Sequence, residues 1–467
     1  MVSFLFESCA ALKKRNYEPQ VMESADVSLS IDSALQTPDF SAGEWPAYNW
    51  WSLFEDEQLS ELMEIAIEKN PDLLAAVSRV RVSQEEAKKV RSSLLPKLDA
   101  DFRDNYEHLS KDSLDRFPPS TVPAVVNQLY LALNFEYEID LFGKNRNRYR
   151  AAIGQTRAQA AEMSASLLMI TTLLAETYIQ YAAHLQNLQY AQALADAQKM
   201  QLELTELRFV NGLGDQMLID QATAAYLDAQ ETVVFYKKEI ALDVSQLKIL
   251  MGLGPDDPRE ISSPQLAFDR SFPLPENIPL NLLSRRPDLM AQIWTVEAAA
   301  HLISAAKAAF FPNINLAAFV GLESLKWNNF FSVNSYAGAL TPAINLPLFT
   351  GGKLTAQLNK QYATYDAAVY DYNALLLRAA KEVTDQINIL EAANQESRLQ
   401  TQAYEKTMHI AELTTKRYEN GLDNYLMVLE KQMDTLKQGM KEVDTENQRY
   451  LAILQLIKAL GGGYHGG

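Results

Sequence analysis

The sequence predicts a mixed α and β membrane protein built from two pseudo-repeats, each supplying two strands and a long helical hairpin. Three observations carry this. Motifs recur in the same order in both halves of the 467-residue chain. Two very long stretches contain no proline. The segments leading into them alternate apolar and polar side chains with period two. Internal duplication settles architecture before any single residue does.

The first element of each unit is a helix opened by Pro71-Asp-Leu73 and again by Pro287-Asp-Leu289, with Leu95-Pro96 and Phe311-Pro312 closing the match at one constant offset of 216. Strands follow both prolines. Leu98, Ala100, Phe102 and Tyr106 alternate with Lys97, Asp99, Asp101 and Arg103, and Ile314, Leu316, Ala318 and Val320 with Asn313, Asn315 and Ala317. The next strand is the clearest. Leu129, Leu131, Leu133, Phe135, Tyr137, Ile139 and Leu141 are all apolar, whereas Asn134, Glu136, Glu138 and Asp140 stand between them. One greasy and one wet face result. Its counterpart, Tyr336 to Leu348, alternates more weakly.

Asp140-Leu-Phe-Gly-Lys144 and Pro347-Leu-Phe-Thr-Gly-Gly-Lys353 then open the proline-free stretches, which run from Pro123 to Pro255 and from Pro347 to the end. A proline inside a helix costs roughly 3 kcal/mol, so its absence permits long helices. Gly143, Gly154 and the Asn211-Gly212-Leu213-Gly214 cluster are the only interruptions before Gly252. The pattern predicts a helix of about 60 residues, a reversal, and a return helix of about 35. Arg208-Phe-Val-Asn-Gly-Leu213 and Arg417-Tyr-Glu-Asn-Gly-Leu422 mark the two reversals, at an offset of 209.

Strands of this length suit a membrane barrel. The alternative is a sheet packed on helices, which would leave helices far longer than the sheet they cover. Single-chain barrels start at eight strands, so four cannot close alone and the chain must oligomerise. No apolar run approaches 18 residues, so no transmembrane helix is expected. The net charge of −17 argues against nucleic acid as a partner.

Cys9 is the single cysteine, which excludes a disulfide framework. It follows the short apolar run Val2-Ser-Phe-Leu-Phe6 and precedes a polar, tether-like segment. Either it is a lipidated first residue or an incidental thiol. The five histidines, His108, His184, His301, His409 and His465, are scattered and show no metal-ligand spacing. Neither a Gly-x-Ser-x-Gly elbow nor a phosphate loop is present. The reading is therefore of a non-enzyme without cofactor or metal. Trp45, Trp50 and Trp51 read as core or interface anchors. Trp327, Phe330 and Phe331 read as an aromatic girdle or a loop cluster.

From about Trp50 to Gly463 the chain resembles the TolC-like outer-membrane efflux proteins, in their lipoprotein branch. The landmarks are Trp51-Ser-Leu-Phe54, Asn70-Pro-Asp-Leu73, Tyr137 to Gly143, Arg285-Arg-Pro-Asp-Leu289, Phe310-Phe-Pro312, Leu348-Phe-Thr-Gly-Gly352 and Leu460-Gly-Gly-Gly-Tyr464. The resemblance implies a homotrimer in the outer membrane of a Gram-negative bacterium. Its twelve-stranded barrel would be continued by an α-helical barrel through the periplasm. It also implies a periplasmic adaptor and an inner-membrane transporter as partners, contact with outer-membrane lipid, and Cys9 as the acylated residue. The tip turns Asn211, Gly212, Leu213, Gly214, Asn420, Gly421 and Leu422 would meet the adaptor. Asp423 matches a constriction-lining position, and Asp215 is read as its pseudo-repeat partner. A helix N-cap is the plainer role for either aspartate.

The implied organisation is a tether at 1–49, a first repeat at 50–254, a linker at 255–284, a second repeat at 285–463 and a tail at 464–467. A soluble or surface coiled-coil scaffold is the competing class. It would explain the helices but not the alternating strands.

Overall fold

The computed structural model describes residues 17–110, 124–268, 271–275 and 285–465. In chain order its elements are α1 (Ser28–Ala34), β1 (Phe40–Gly43), a 3-10 turn at Trp50–Phe54, α2 (Glu57–Lys69), α3 (Pro71–Ser92), β2 (Lys97–His108) and β3 (Val125–Ile139). There follow α4 (Lys144–Val210), α5 (Gln216–Leu250), β4 (Phe272–Pro275), α6 (Pro287–Ala308), β5 (Asn313–Ser324), β6 (Tyr336–Asn345), α7 (Lys353–Glu419) and α8 (Tyr425–Ala459). Cys9, the proposed lipidation site, lies outside the described residues.

The duplication is kept element by element. α4 and α7 each have 67 residues, α5 and α8 each have 35, and both pairs repeat at the 209 offset of the turn motifs. α3 and α6 both have 22 residues and repeat at 216, as do β2 and β5 with 12 each. α4 exceeds the expected 60 residues because Gly154 does not interrupt it. A Cβ there would stand 3.0 Å from that of Ala298, so the glycine admits α6 to close contact.

Compact packing cuts across the repeats. One unit comprises Met1–Val21, Arg79–Gln159 and Gln292–Tyr372, and the other the remainder. The first holds an antiparallel sheet in the order β2-β3-β5-β6. Register puts Phe102, Leu131 and Leu322 on one rung, Ala100, Leu133 and Val320 on another, and Leu98, Phe135, Ala318 and Leu340 on a third. Cross-strand partners share a face, so these side chains form one apolar surface, with Ile139 on the same side as Ile314 and Ile344. Asp99 and Asn134, and Lys97 and Glu136, pair on the opposite face. β2 and β6 are the outer strands, and each leaves one edge of its ladder unpaired among the described residues. Trp327, Phe330 and Phe331, read as a girdle or a loop cluster, pack together between β5 and β6, with the Trp327 and Phe331 ring centroids 5.9 and 5.0 Å from that of Phe330. Phe330 is 1% exposed and stands with Trp327 against Phe102, ring centroids 6.3 and 6.4 Å away.

The second unit corrects the tether. Residues 22–49 are not loose: α1 and β1 lie there, and Ala25, Val27, Ile31, Ala34 and Phe40 are buried. Asp39 holds Arg398 through contacts of 2.6 and 3.3 Å. The expected linker supplies β4, which pairs in parallel with β1. Trp50 and Trp51 are core, the former 1% exposed.

Within this unit each hairpin is pinned at its base by the residue preceding the helix-opening proline. Asn70 Nδ2 donates to the Leu250 carbonyl at 2.8 Å, while its Oδ1 caps α3 by accepting from Asp72 and Leu73 N–H. The equivalent residue, Arg286, donates to the Ala459 carbonyl at 3.1 Å. Both carbonyls sit at or beside a helix end, where intrahelical partners run out.

Among the described residues one helix, α4, passes a length and composition test for crossing a membrane, through an 18-residue window of mean hydropathy 1.2. Alanine, leucine and isoleucine raise the mean there without forming an uninterrupted apolar run, and 39% of the window is buried inside this chain.

Candidate functional site

The two hairpin turns are built alike. Gly212 and Gly421 both have φ of 73°, a left-handed conformation that costs glycine little. Gly212 N–H donates to the Phe209 carbonyl at 2.8 Å and Leu213 N–H to Arg208 at 2.9 Å. Gly421 and Leu422 repeat the pair on Tyr418 and Arg417 at 2.9 Å each. These two bonds satisfy the last helical carbonyls and turn the chain sharply. The amides of Asn211 and Asn420 add bonds to Leu207 and Lys416 carbonyls, both 2.7 Å. Leu213 and Leu422 project from the turns, 67% and 66% exposed. Gly214 lies between the first turn and the cap of α5.

The caps of the return helices correct the pairing of the aspartates. Asp215 accepts Leu218 N–H at 3.0 Å and caps α5. Asn424 accepts Met427 N–H at 2.9 Å and caps α8. The 209 offset therefore joins Asp215 to Asn424, and Asp423 falls opposite Gly214. Pairing by residue type had slipped the register by one. The carboxylate of Asp215 is committed to its helix.

Asp423 is not a cap. Arg417, six residues earlier across the turn, clamps its carboxylate: Nε to Oδ2 at 2.6 Å and Nη2 to Oδ1 at 3.3 Å. The Arg417 hydrogen bond and charge hold the Asp423 carboxyl below its usual range. A depressed carboxylate pKa makes the clamp intact above the ordinary range and lost only as pH falls through the lowered value. Arg208 occupies the equivalent place in the first turn, but Gly214 offers it no acid. The clamp belongs to one tip only. Arg417 was visible in the sequence as the first residue of a repeated motif. Its role showed only when the offset exposed an acid present in one copy and missing from the other.

Among the described residues no group of three His, Cys, Asp or Glu is placed to hold a metal ion.

The comparisons agree with this architecture. The profile of the outer membrane efflux protein family matches residues 62–253 and again 278–462, one match on each repeat. The multidrug resistance outer membrane protein MdtP of Escherichia coli K12 is 27% identical over 469 aligned positions, covering 99% of this chain and 95% of that protein. The fusaric acid resistance protein FusA of Burkholderia cepacia is 31% identical, over 76% of this chain and 67% of its own. The crystal structure of the outer membrane protein VceC from Vibrio cholerae superposes with a TM-score of 0.81 at 31% identity, covering 90% of this chain and 100% of that one. With both repeats matched and the same strands and hairpins in place, the chain belongs to the outer membrane efflux protein family and is an outer-membrane efflux channel.

Proposed function

We propose that three copies close their four-stranded sheets into one twelve-stranded barrel, and that the paired hairpins continue it as a helical duct into the periplasm. The duct would take cargo from a periplasmic adaptor and an inner-membrane transporter and release it outside the cell. The open sheet carries this reading. Its outer strands leave ladder groups unpaired, and one face is apolar along all four strands. In lipid an unpaired edge is prohibitive, and closure by further copies removes it. The relatives named for multidrug and fusaric acid resistance support small organic molecules as cargo.

The tip turns form the far end of the duct on this reading. The exposed Leu213 and Leu422 suit apolar docking of the adaptor, and Asp423 lines the narrow opening with its charge masked by Arg417. Three unmasked carboxylates about 6 Å apart would repel by roughly 2–3 kcal/mol per pair at an effective dielectric near 20. Each arginine thus offsets a repulsion that would otherwise splay the opening.

Single-channel recording in planar bilayers tests this. Arg417→Ala should raise cation preference and sensitivity to divalent block, because it bares the carboxylates. Asp423→Ala should shift selectivity the other way by leaving a bare guanidinium. Wild-type selectivity and block in both variants would remove Asp423 from the conduction path.

A further inference from the structure

Away from the tips, the unexplained feature is a dense positive cluster in an acidic chain. Lys144, Arg146, Arg148 and Arg150 put four cations at the start of α4, against a net charge of −17. The equivalent start of α7 keeps only Lys353, followed by Thr355, Gln357 and Asn359. Both helices have the same length, so the fold itself does not require the arginines. A helix N-terminus disfavours cations, and the first turn of α4 contains no acid.

Two of the four charges are answered locally. Lys144 pairs with Glu138 at 2.5 Å, and Arg146 approaches Asp140 at 3.6 Å. Asp140 also accepts the N–H groups of Asn145 and Arg146 at 3.2 and 2.8 Å, which completes the cap. Arg148 reaches the Asn145 amide oxygen at 3.4 Å. Among the described residues no carboxylate stands within ion-pair distance of Arg148, Arg150 or Lys353.

Beside the cluster lies a cleft of about 290 Å³ whose lining includes Arg148, Lys353, Phe142 and Phe311, together with Glu138 and Asp140, the acids that answer Lys144 and Arg146. Phe142 and Phe311 stack at 4.8 Å between centroids and remain partly exposed. The cleft adjoins the end of the sheet, where β3 finishes at Ile139, β5 starts at Asn313 and β6 finishes at Asn345. Passing from the sheet into the helix, the surface changes from aliphatic to aromatic to cationic. That sequence matches acyl chain, glycerol region and headgroup.

We propose that this cleft seats an anionic membrane phospholipid, with Arg148 and Lys353 taking its phosphate and Phe142 and Phe311 flanking the first acyl carbons. Arg150 adds to the local positive potential within a Debye length. The inference rests on the sheet being a membrane barrel and adds a specific lipid site to it.

The second repeat supplies substitutions that the fold accommodates. Arg148→Gln and Arg150→Asn copy Gln357 and Asn359. Native mass spectrometry of the full-length protein, titrated with palmitoyl-oleoyl phosphatidylglycerol or the matching phosphatidylcholine, tests the site. Wild type should retain phosphatidylglycerol in preference to phosphatidylcholine, and the double variant should bind it about tenfold more weakly at unchanged oligomer mass. Inorganic phosphate at equal concentration should not displace the lipid. Equal retention of the two lipids by wild type, equal binding by the variant, or displacement by phosphate would each overturn the proposal. The same spectra report subunit number, so a monomer that still selected phosphatidylglycerol would count against the trimer and not against the lipid site.

Discussion

Replacing Arg286 by alanine should destabilise the folded protein by about 2–4 kcal/mol, read as a fall in its denaturant midpoint in detergent. The side chain is 11% exposed. It meets Asp288 at 3.0 and 2.8 Å, Glu382 at 2.7 Å and the Ala459 carbonyl at 3.1 Å. Burial alone opposes the guanidinium charge, and the carboxylates of Asp288 and Glu382 outweigh it. Truncation strands a buried carbonyl and leaves two carboxylates without their cation. Breaking a buried pair costs about 3–5 kcal/mol, and the partial exposure of both acids recovers some of that as hydration. Arg286→Asn, the solution used at Asn70, should recover the carbonyl contact and lose the ion pairs with Asp288 and Glu382. A loss under about 0.5 kcal/mol for the alanine variant, the range of ordinary surface changes, would show that Arg286 pins nothing.

Arginine at Leu133 should cost about 2–4 kcal/mol, and arginine at Glu136 much less. Leu133 sits mid-strand on the apolar face, between Ala100 and Val320 in register. Glu136 lies opposite Lys97 on the polar face. In the proposed barrel the interior is wet, so a charge there would keep its hydration, whereas a charge on the outer face would enter hydrocarbon. Heat-modifiability on gels and refolding into vesicles would report both variants. Equal losses at 133 and 136 would mean that the two faces meet the same solvent.

The features read correctly in the sequence are those set by short-range rules. Period two in β3 survives because one face is uniformly apolar, and the Asn-Gly turns follow from glycine's access to positive φ. Helix ends fell close to Lys144 and Lys353 because proline and glycine bound the stretches. What escaped depends on contacts distant in sequence. The 17–49 segment is polar on average, yet Ile31 and Phe40 find buried sites and Asp39 meets Arg398, more than 350 positions away. The strand in the expected linker exists because Phe272–Pro275 pairs with Phe40–Gly43. Asp423 stood out through the family resemblance, which matches it to a constriction-lining position. The role of its partner Arg417 did not show, because the arginine stands in both repeats while the acid it clamps stands in only one, opposite Gly214.

The central claim is that one chain supplies only a third of a barrel. Multi-angle light scattering of the full-length protein in mild detergent, with the detergent contribution subtracted, measures this directly. The protein mass should equal three chains of 52.4 kDa each. A monodisperse species containing a single chain, still carrying its sheet by circular dichroism, would contradict it.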